Sequence, residues 1–254
     1  MYFHSLIHEP LVSEKNIYKK IQELFADFKG NLNIMEDQID FDVQSEYFNY
    51  TKTIDKRLDP QDIIKNKEDI FRQHLPEEDK KCMLVQLASI ASVEAFRTIE
   101  RFASDPDHNL QDWAKLALKE SKLLLESKIL DENQILISTG LGGKGLKLRY
   151  SVAFIAKNNQ TLSDLQRRII RDESCFALKR CKGEIEEMKI YRNIAALTLL
   201  IPIDVSLQNL FDNIISEINQ LGNFLYRNYL ITNVKILTLD EIREFISVHH
   251  NQLK

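Results

Sequence analysis

Apolar residues recur at helical spacing through the first half of the chain and at strand spacing through much of the second. Over residues 13–29, Ile17, Ile21, Leu24, Phe25 and Phe28 fall on one stripe. Ser13 stands at the N-cap position and Gly30 follows the end, so a helix is predicted there. Residues 31–58 are aromatic and acidic without a clean period. Asp59-Pro60 then supplies a cap followed by proline at the first helical position. Ile63, Ile64, Ile70 and Phe71 are the apolar positions behind it. Pro76 opens a further helix, with Glu77, Glu78 and Asp79 in its first turn, where carboxylates favour the helix dipole. That helix turns Met83, Leu84, Leu87 and Ile90 inward.

Residues 92–128 carry two more stripes. Ala95, Phe96, Ile99, Phe102 and Ala103 form the first. After the "DPDHN" turn come Leu110, Trp113, Ala114, Ala117 and Leu118, then Leu124 and Leu125. The small Ala114 and Ala117 permit close helix approach. This Asp-Pro hairpin resembles a HEAT-type repeat over about one repeat length, and the resemblance implies a protein-binding helical surface. The expectation for residues 1–131 is a helical bundle containing that hairpin.

Beyond Asp131 the period changes. Ile135, Ile137 and Thr139 alternate, as do Leu148, Tyr150, Val152 and Phe154. Thr161 and Asp164 make a T-x-x-D helix start, with Leu162, Leu165, Ile169 and Ile170 inward. "EIEEMKIY" and "IAALTLLIPI" read as a hairpin of strands. "DVSLQNLFDNIISEINQLG" is a helix, "YLITNVKILT" a strand, and "TLDE" at 238–241 a capping box for a last helix. Residues 146–238 therefore run β-α-β-β-α-β, which resembles the ferredoxin-like arrangement of an antiparallel sheet with helices on one face. The predicted fold class is α+β in two domains, 1–131 and 132–254. One difficulty remains. The first strand of that sheet already has two neighbours, so residues 134–139 cannot pair along its whole length.

Charge divides the chain in the same place. Residues 1–133 hold 18 Lys and Arg against 26 Asp and Glu, and residues 134–254 hold 16 against 12. The first half is acidic and the second basic. No stretch approaches the ~20 apolar residues of a membrane span, so a cytoplasmic chain with no membrane association is expected. Cys82, Cys175 and Cys181 form no C-x-x-C pair, and the histidines are scattered. Neither a disulfide framework nor a metal site is expected, and no cofactor.

The remaining chemistry lies in two cationic segments. Four of the 7 glycines, Gly140, Gly142, Gly143 and Gly145, fall together beside Lys144, Lys147 and Arg149. They satisfy G-x-G-x-x-G, but a strand follows where a dinucleotide site requires a helix. The Walker pattern fails at Ser138 and Gly145. No H-R-D or D-F-G motif supports a kinase. What remains is a hairpin tip whose glycines supply positive φ, or a cradle for phosphate or an acidic groove. The second segment is Arg167, Arg168, Arg171, Lys179, Arg180 and Lys182, a candidate nucleic-acid patch whose bland reading is a solvated helix face. Glu184, Glu186 and Glu187 read as a solvated strand edge rather than catalytic carboxylates. No nucleophile, acid/base pair or metal set emerges.

Three functions fit these residues. The first is a non-catalytic adaptor or assembly factor that binds a protein partner through the helical surface and the Gly/Lys hairpin. The second is a nucleic-acid-binding protein, with RNA as a candidate ligand, using the basic patch. The third is a sensor of a small phosphorylated ligand at Gly140–Gly145. The open sheet also offers a surface for a second copy.

Overall fold

The computed structural model of the chain describes residues 3–4, 30–53, 59–105 and 109–249. The helix predicted over 13–29 lies outside them. The described residues divide into two compact units, 3–4 with 30–140, and 141–249. The fold is α+β, as the pattern predicts.

The first unit contains strands β1 (Phe3–His4) and β2 (Gly30–Ile34), then helices α1 (Phe41–Thr53), α2 (Pro60–Lys65), α3 (Glu77–Ala88), α4 (Val93–Ala103) and α5 (Gln111–Leu130), and strand β3 (Asn133–Ser138). Asp59 caps α2 through its carboxylate, with Pro60 at the first helical position. Ser92 caps α4 in the same way. Trp113, Ala114, Leu116, Ala117 and Leu123 of α5 are buried among α1, α3 and α4 residues such as Tyr47, Leu84 and Ile99. Tyr47 meets Trp113 edge-on at 5.1 Å and donates to Glu120 at 2.5 Å. Lys81 lies 5.1 Å from the Trp113 ring and pairs with Glu46 at 2.9 Å.

This arrangement corrects the HEAT-like expectation. In a repeat array the second helix of each hairpin packs on its partner and on neighbouring repeats. Here α5 is the hub of the unit, packed against α1, α3, α4 and β3. Nor is the unit purely helical. Strand β3 lies between β1 and β2 in a parallel sheet, in the register Leu32↔Ile135 and Phe3↔Ile137. Asp131 ends α5 in the left-handed region (φ 53°) and turns the chain straight into β3. The change of unit therefore comes after Gly140, later than the 131/132 division that the pattern predicts.

The second unit contains β4 (Gly143–Lys144), β5 (Lys147–Ala156), α6 (Asp164–Arg180), β6 (Glu184–Tyr191), β7 (Ile194–Pro202), α7 (Leu207–Gln220), β8 (Leu225–Thr232) and α8 (Leu239–His249). Its strands pair antiparallel in the order β8-β5-β7-β6, which is the predicted arrangement. The same topology resolves the pairing difficulty. Strand β3 leaves for the other sheet. Strand β4 pairs the start of β5 (Gly143↔Leu148), and β8 pairs the rest from Ser151 onward. The Leu141 amide donates to the Asn233 carbonyl at 2.9 Å where the two meet.

Side chains alternate across β5. Phe154 faces α7, its ring 6.1 Å from that of Phe211. Ala153 points the other way and is buried with Ile194 and Ile242, with Leu230 and Ile246 against them. Helix α8 thus covers part of the face that the sequence reading left open, because Ala153, Ile194 and Leu230 make an apolar strip there. Two helix starts are also informative. Helix α6 is capped by Ser163 with Gln166 in a capping box, two residues later than the predicted Thr161. The Thr238/Glu241 box forms as predicted, and the neighbouring Lys235, with the Thr238 hydrogen bonds, holds the Glu241 carboxyl at about 2.

Candidate nucleic-acid interface

The glycine hairpin is built by local geometry. Lys144 pairs with Lys147, leaving Gly145-Leu146 as a two-residue turn. Gly145 has φ +59° and Gly142 φ +64°, the left-handed values that glycine adopts without a Cβ penalty. Positive φ at the first central position matches the hairpin turn whose twist suits the flanking strands. Ser138 and Thr139, just before it, are held by the buried Gln44. Gln44 accepts from Ser138 Oγ at 2.6 Å and donates to the Thr139 carbonyl at 3.1 Å. Gly140, Gly142 and Gly143 are buried, while Lys144 and Gly145 are exposed.

The hairpin cations are already engaged. Lys147 pairs with Glu184. Arg149 reaches across β7 to grip Glu186 with two hydrogen bonds, of 2.5 and 2.9 Å, and donates a third to the Leu141 carbonyl at 2.7 Å. The hydrogen bond from Lys147, with the charge of Lys147 and the weaker one of Lys144, lowers the Glu184 pKa. On the same strand Glu187 pairs with Lys189 at 2.8 Å and raises its pKa. The three glutamates of β6 are therefore counter-ions on one sheet face. Their arrangement gives no acid/base pair.

Helix α6 shows the opposite condition. Ile170, Ser174 and Leu178 point into the unit at a spacing of four. The helical period then puts residues near 165, 172, 176 and 179 on the outward side. Arg168, Arg171, Lys179 and Arg180 are exposed, as is Lys182 in the turn that follows. Among the described residues no carboxylate lies within ion-pair distance of any of these five. Arg167 differs from them. It is half-buried, donates to the Leu162 carbonyl at 3.0 Å and pairs with Asp164 at 3.4 Å. Lys182 adopts φ 61° and Gly183 donates to the Leu178 carbonyl at 2.7 Å, which ends the helix.

One residue of this face runs against the sequence reading, and a second was not singled out by it. Leu165, predicted inward, is 61% exposed, and Phe176 is 62% exposed. Correct phasing was available from the buried set 170, 174 and 178. The T-x-x-D start suggested a different phase, and the true cap is Ser163. Elsewhere, no group of three His, Cys, Asp or Glu among the described residues suits a metal. No helix among them is long and apolar enough to cross a membrane.

No family model matches the chain, and no curated protein matches it. Solved structures do resemble it. A candidate transposase from Deinococcus radiodurans R1 is 16% identical over 42% of this chain and 93% of its own, with a TM-score of 0.35. A REP-associated tyrosine transposase bound to a REP hairpin is 10% identical over 42% of this chain and 70% of its own, with a TM-score of 0.31. Both neighbours are transposases, where the sequence reading expected a non-catalytic adaptor, and that expectation is withdrawn. A likeness of this extent assigns no function by itself, so the function is argued from the residues of this chain.

Proposed function

We propose that this chain binds nucleic acid through the outward face of α6 and the turn that follows it. The observation that carries the reading is a set of five exposed cations, Arg168, Arg171, Lys179, Arg180 and Lys182, with no carboxylate counter-ion among the described residues. A nucleic acid carries condensed cations along its phosphates, and protein cations so placed can replace them and gain the entropy of their release. Lys147 and Arg149 contribute little, because Glu184 and Glu186 already neutralise them.

The test is fluorescence anisotropy with a labelled oligonucleotide across a series of salt concentrations. Engagement of all five cations predicts a log–log slope of up to about −4.5 on duplex and about −3.5 on a single strand. The triple substitution Arg168→Glu, Arg171→Glu and Lys179→Glu flattens that slope and weakens binding. Absence of binding at low salt, or binding indifferent to these substitutions, overturns the reading.

A further inference from the structure

The exposed apolar residues of α6 have no role in holding a phosphate. Leu165 and Phe176 are eleven residues apart, close to three helical turns, so they stand above one another about 16 Å apart. Both lie on the centre line of the outward face, opposite Ile170, Ser174 and Leu178. Arg168 and Lys179 flank that line on one side and Arg180 on the other. The Arg180 guanidinium is 6.0 Å from the centre of the Phe176 ring. The exposed carboxylate on the same line is Asp172.

An exposed aromatic ring beside an unmatched guanidinium, on a face that carries further unmatched cations, fits a polyanion that also presents flat apolar faces. A paired duplex shows such a surface its phosphates and base edges, while its base faces are stacked inside. An unpaired strand offers both phosphate and base face. We propose that the outward face of α6 selects nucleic-acid strands with unpaired bases, with Phe176 as the stacking platform, Leu165 as a second apolar contact and the flanking cations on the backbone. The proposal rests on the nucleic-acid reading above and adds the ligand's class to it. Asp172 sets the cost of placing a phosphate on the centre line, which steers phosphates to the flanks.

The experiment compares a mixed-sequence single-stranded DNA, an RNA of the same sequence and the matching DNA duplex, each fluorescently labelled, on the full chain. Wild-type protein is expected to prefer the single strands over the duplex by about tenfold. Phe176→Ala should weaken single-strand binding by about tenfold, leave duplex binding within about twofold, and be rescued by Phe176→Trp. Because Phe176 is exposed, its truncation should leave the thermal midpoint near that of wild type, which the same samples report. The DNA and RNA arms show whether the 2′-hydroxyl enters recognition. Equal affinity for duplex and single strand, or an equal loss on both in Phe176→Ala, overturns the stacking proposal and leaves the nucleic-acid reading standing. If none of the three oligonucleotides binds, the nucleic-acid reading itself falls. Vesicles containing phosphatidylserine are the final arm, and capture by them without oligonucleotide binding overturns both.

Discussion

The glycine hairpin and helix α6 carry cations of the same kind at similar density, and the fold treats them oppositely. Lys147 and Arg149 lie on a strand whose second neighbour, β6, presents Glu184 and Glu186 at matching height, so both charges are spent inside the sheet face. Arg168, Arg171 and Lys179 are exposed on a helix and form no ion pair among the described residues, so they stay unmatched. The comparison shows that a run of Lys and Arg indicates a binding surface only after cross-strand pairing has been counted. Counter-ions two strands away are invisible to local pattern.

The largest expected effect separates the two regions by binding. The Arg168→Glu, Arg171→Glu and Lys179→Glu triple variant should lose roughly 100-fold in affinity for a single-stranded oligonucleotide at low salt. Lys147→Ala with Arg149→Ala should change affinity by less than about threefold but lower stability to urea by about 1 kcal/mol, because Glu186 loses a two-pronged partner whose side chain is only 14% exposed. The reverse pattern would mean that the hairpin, and not the helix, is the surface.

Gly183→Ala attacks the turn that joins α6 to β6, the strand that supplies the hairpin's counter-ions. A Cβ there would stand 2.8 Å from a Leu178 methyl and 3.1 Å from the Leu200 carbonyl oxygen. The side chain can move but the backbone oxygen cannot, so a loss of roughly 1–3 kcal/mol is expected in urea denaturation. Wild-type stability would show that the α6–β6 turn is looser than its contacts indicate.

Lys182→Gly sharpens the comparison, since it moves stability and binding in opposite directions. Lys182 occupies the left-handed region, where glycine carries no Cβ penalty, so the midpoint should rise by an amount equivalent to about 1 kcal/mol. Nucleic-acid affinity should meanwhile fall a few-fold with the lost charge. A fall in both would mean that the lysine side chain holds the turn.

The smallest effect is electrostatic. Glu184 has its pKa lowered from 4.5, chiefly by the hydrogen bond from Lys147. A folded value below the unfolded one adds stability above pH 4.5, and that stability is lost as the pH falls through the folded value. An NMR titration of the Glu184 carboxyl should find its midpoint below 4.5, returning toward 4.5 in Lys147→Ala. An unmoved midpoint in that variant would show that the pair is not formed in solution.

The sequence made the second unit legible because its elements are short and each carries its own signal. Val152 and Phe154 alternate with Ser151 and Ala153, the Gly145-Leu146 turn needs a positive φ, and Thr238 with Glu241 closes its box locally. The first unit was less legible. Residues 31–58 show no clean period because β2 is only five residues long and α1 buries Gln44 and Tyr47 for particular partners, Thr139 and Glu120. The candidate surface was half legible. Its cations stand out in the sequence, while Leu165 was predicted to be inward.

By itself the sequence determined the local elements, the α+β class, the order of strands in the second unit and the positions of the cations, since each depends on a period or a turn within a few residues. The tertiary structure decided where β3 pairs, that α8 covers the face opposite α6 and α7, and which cations keep their charge available. Those outcomes depend on residues tens of positions apart, Leu32 with Ile135, Ala153 with Ile242, and Arg149 with Glu186. Hydrogen-bond pairing and burial bring them together, and no local pattern records that.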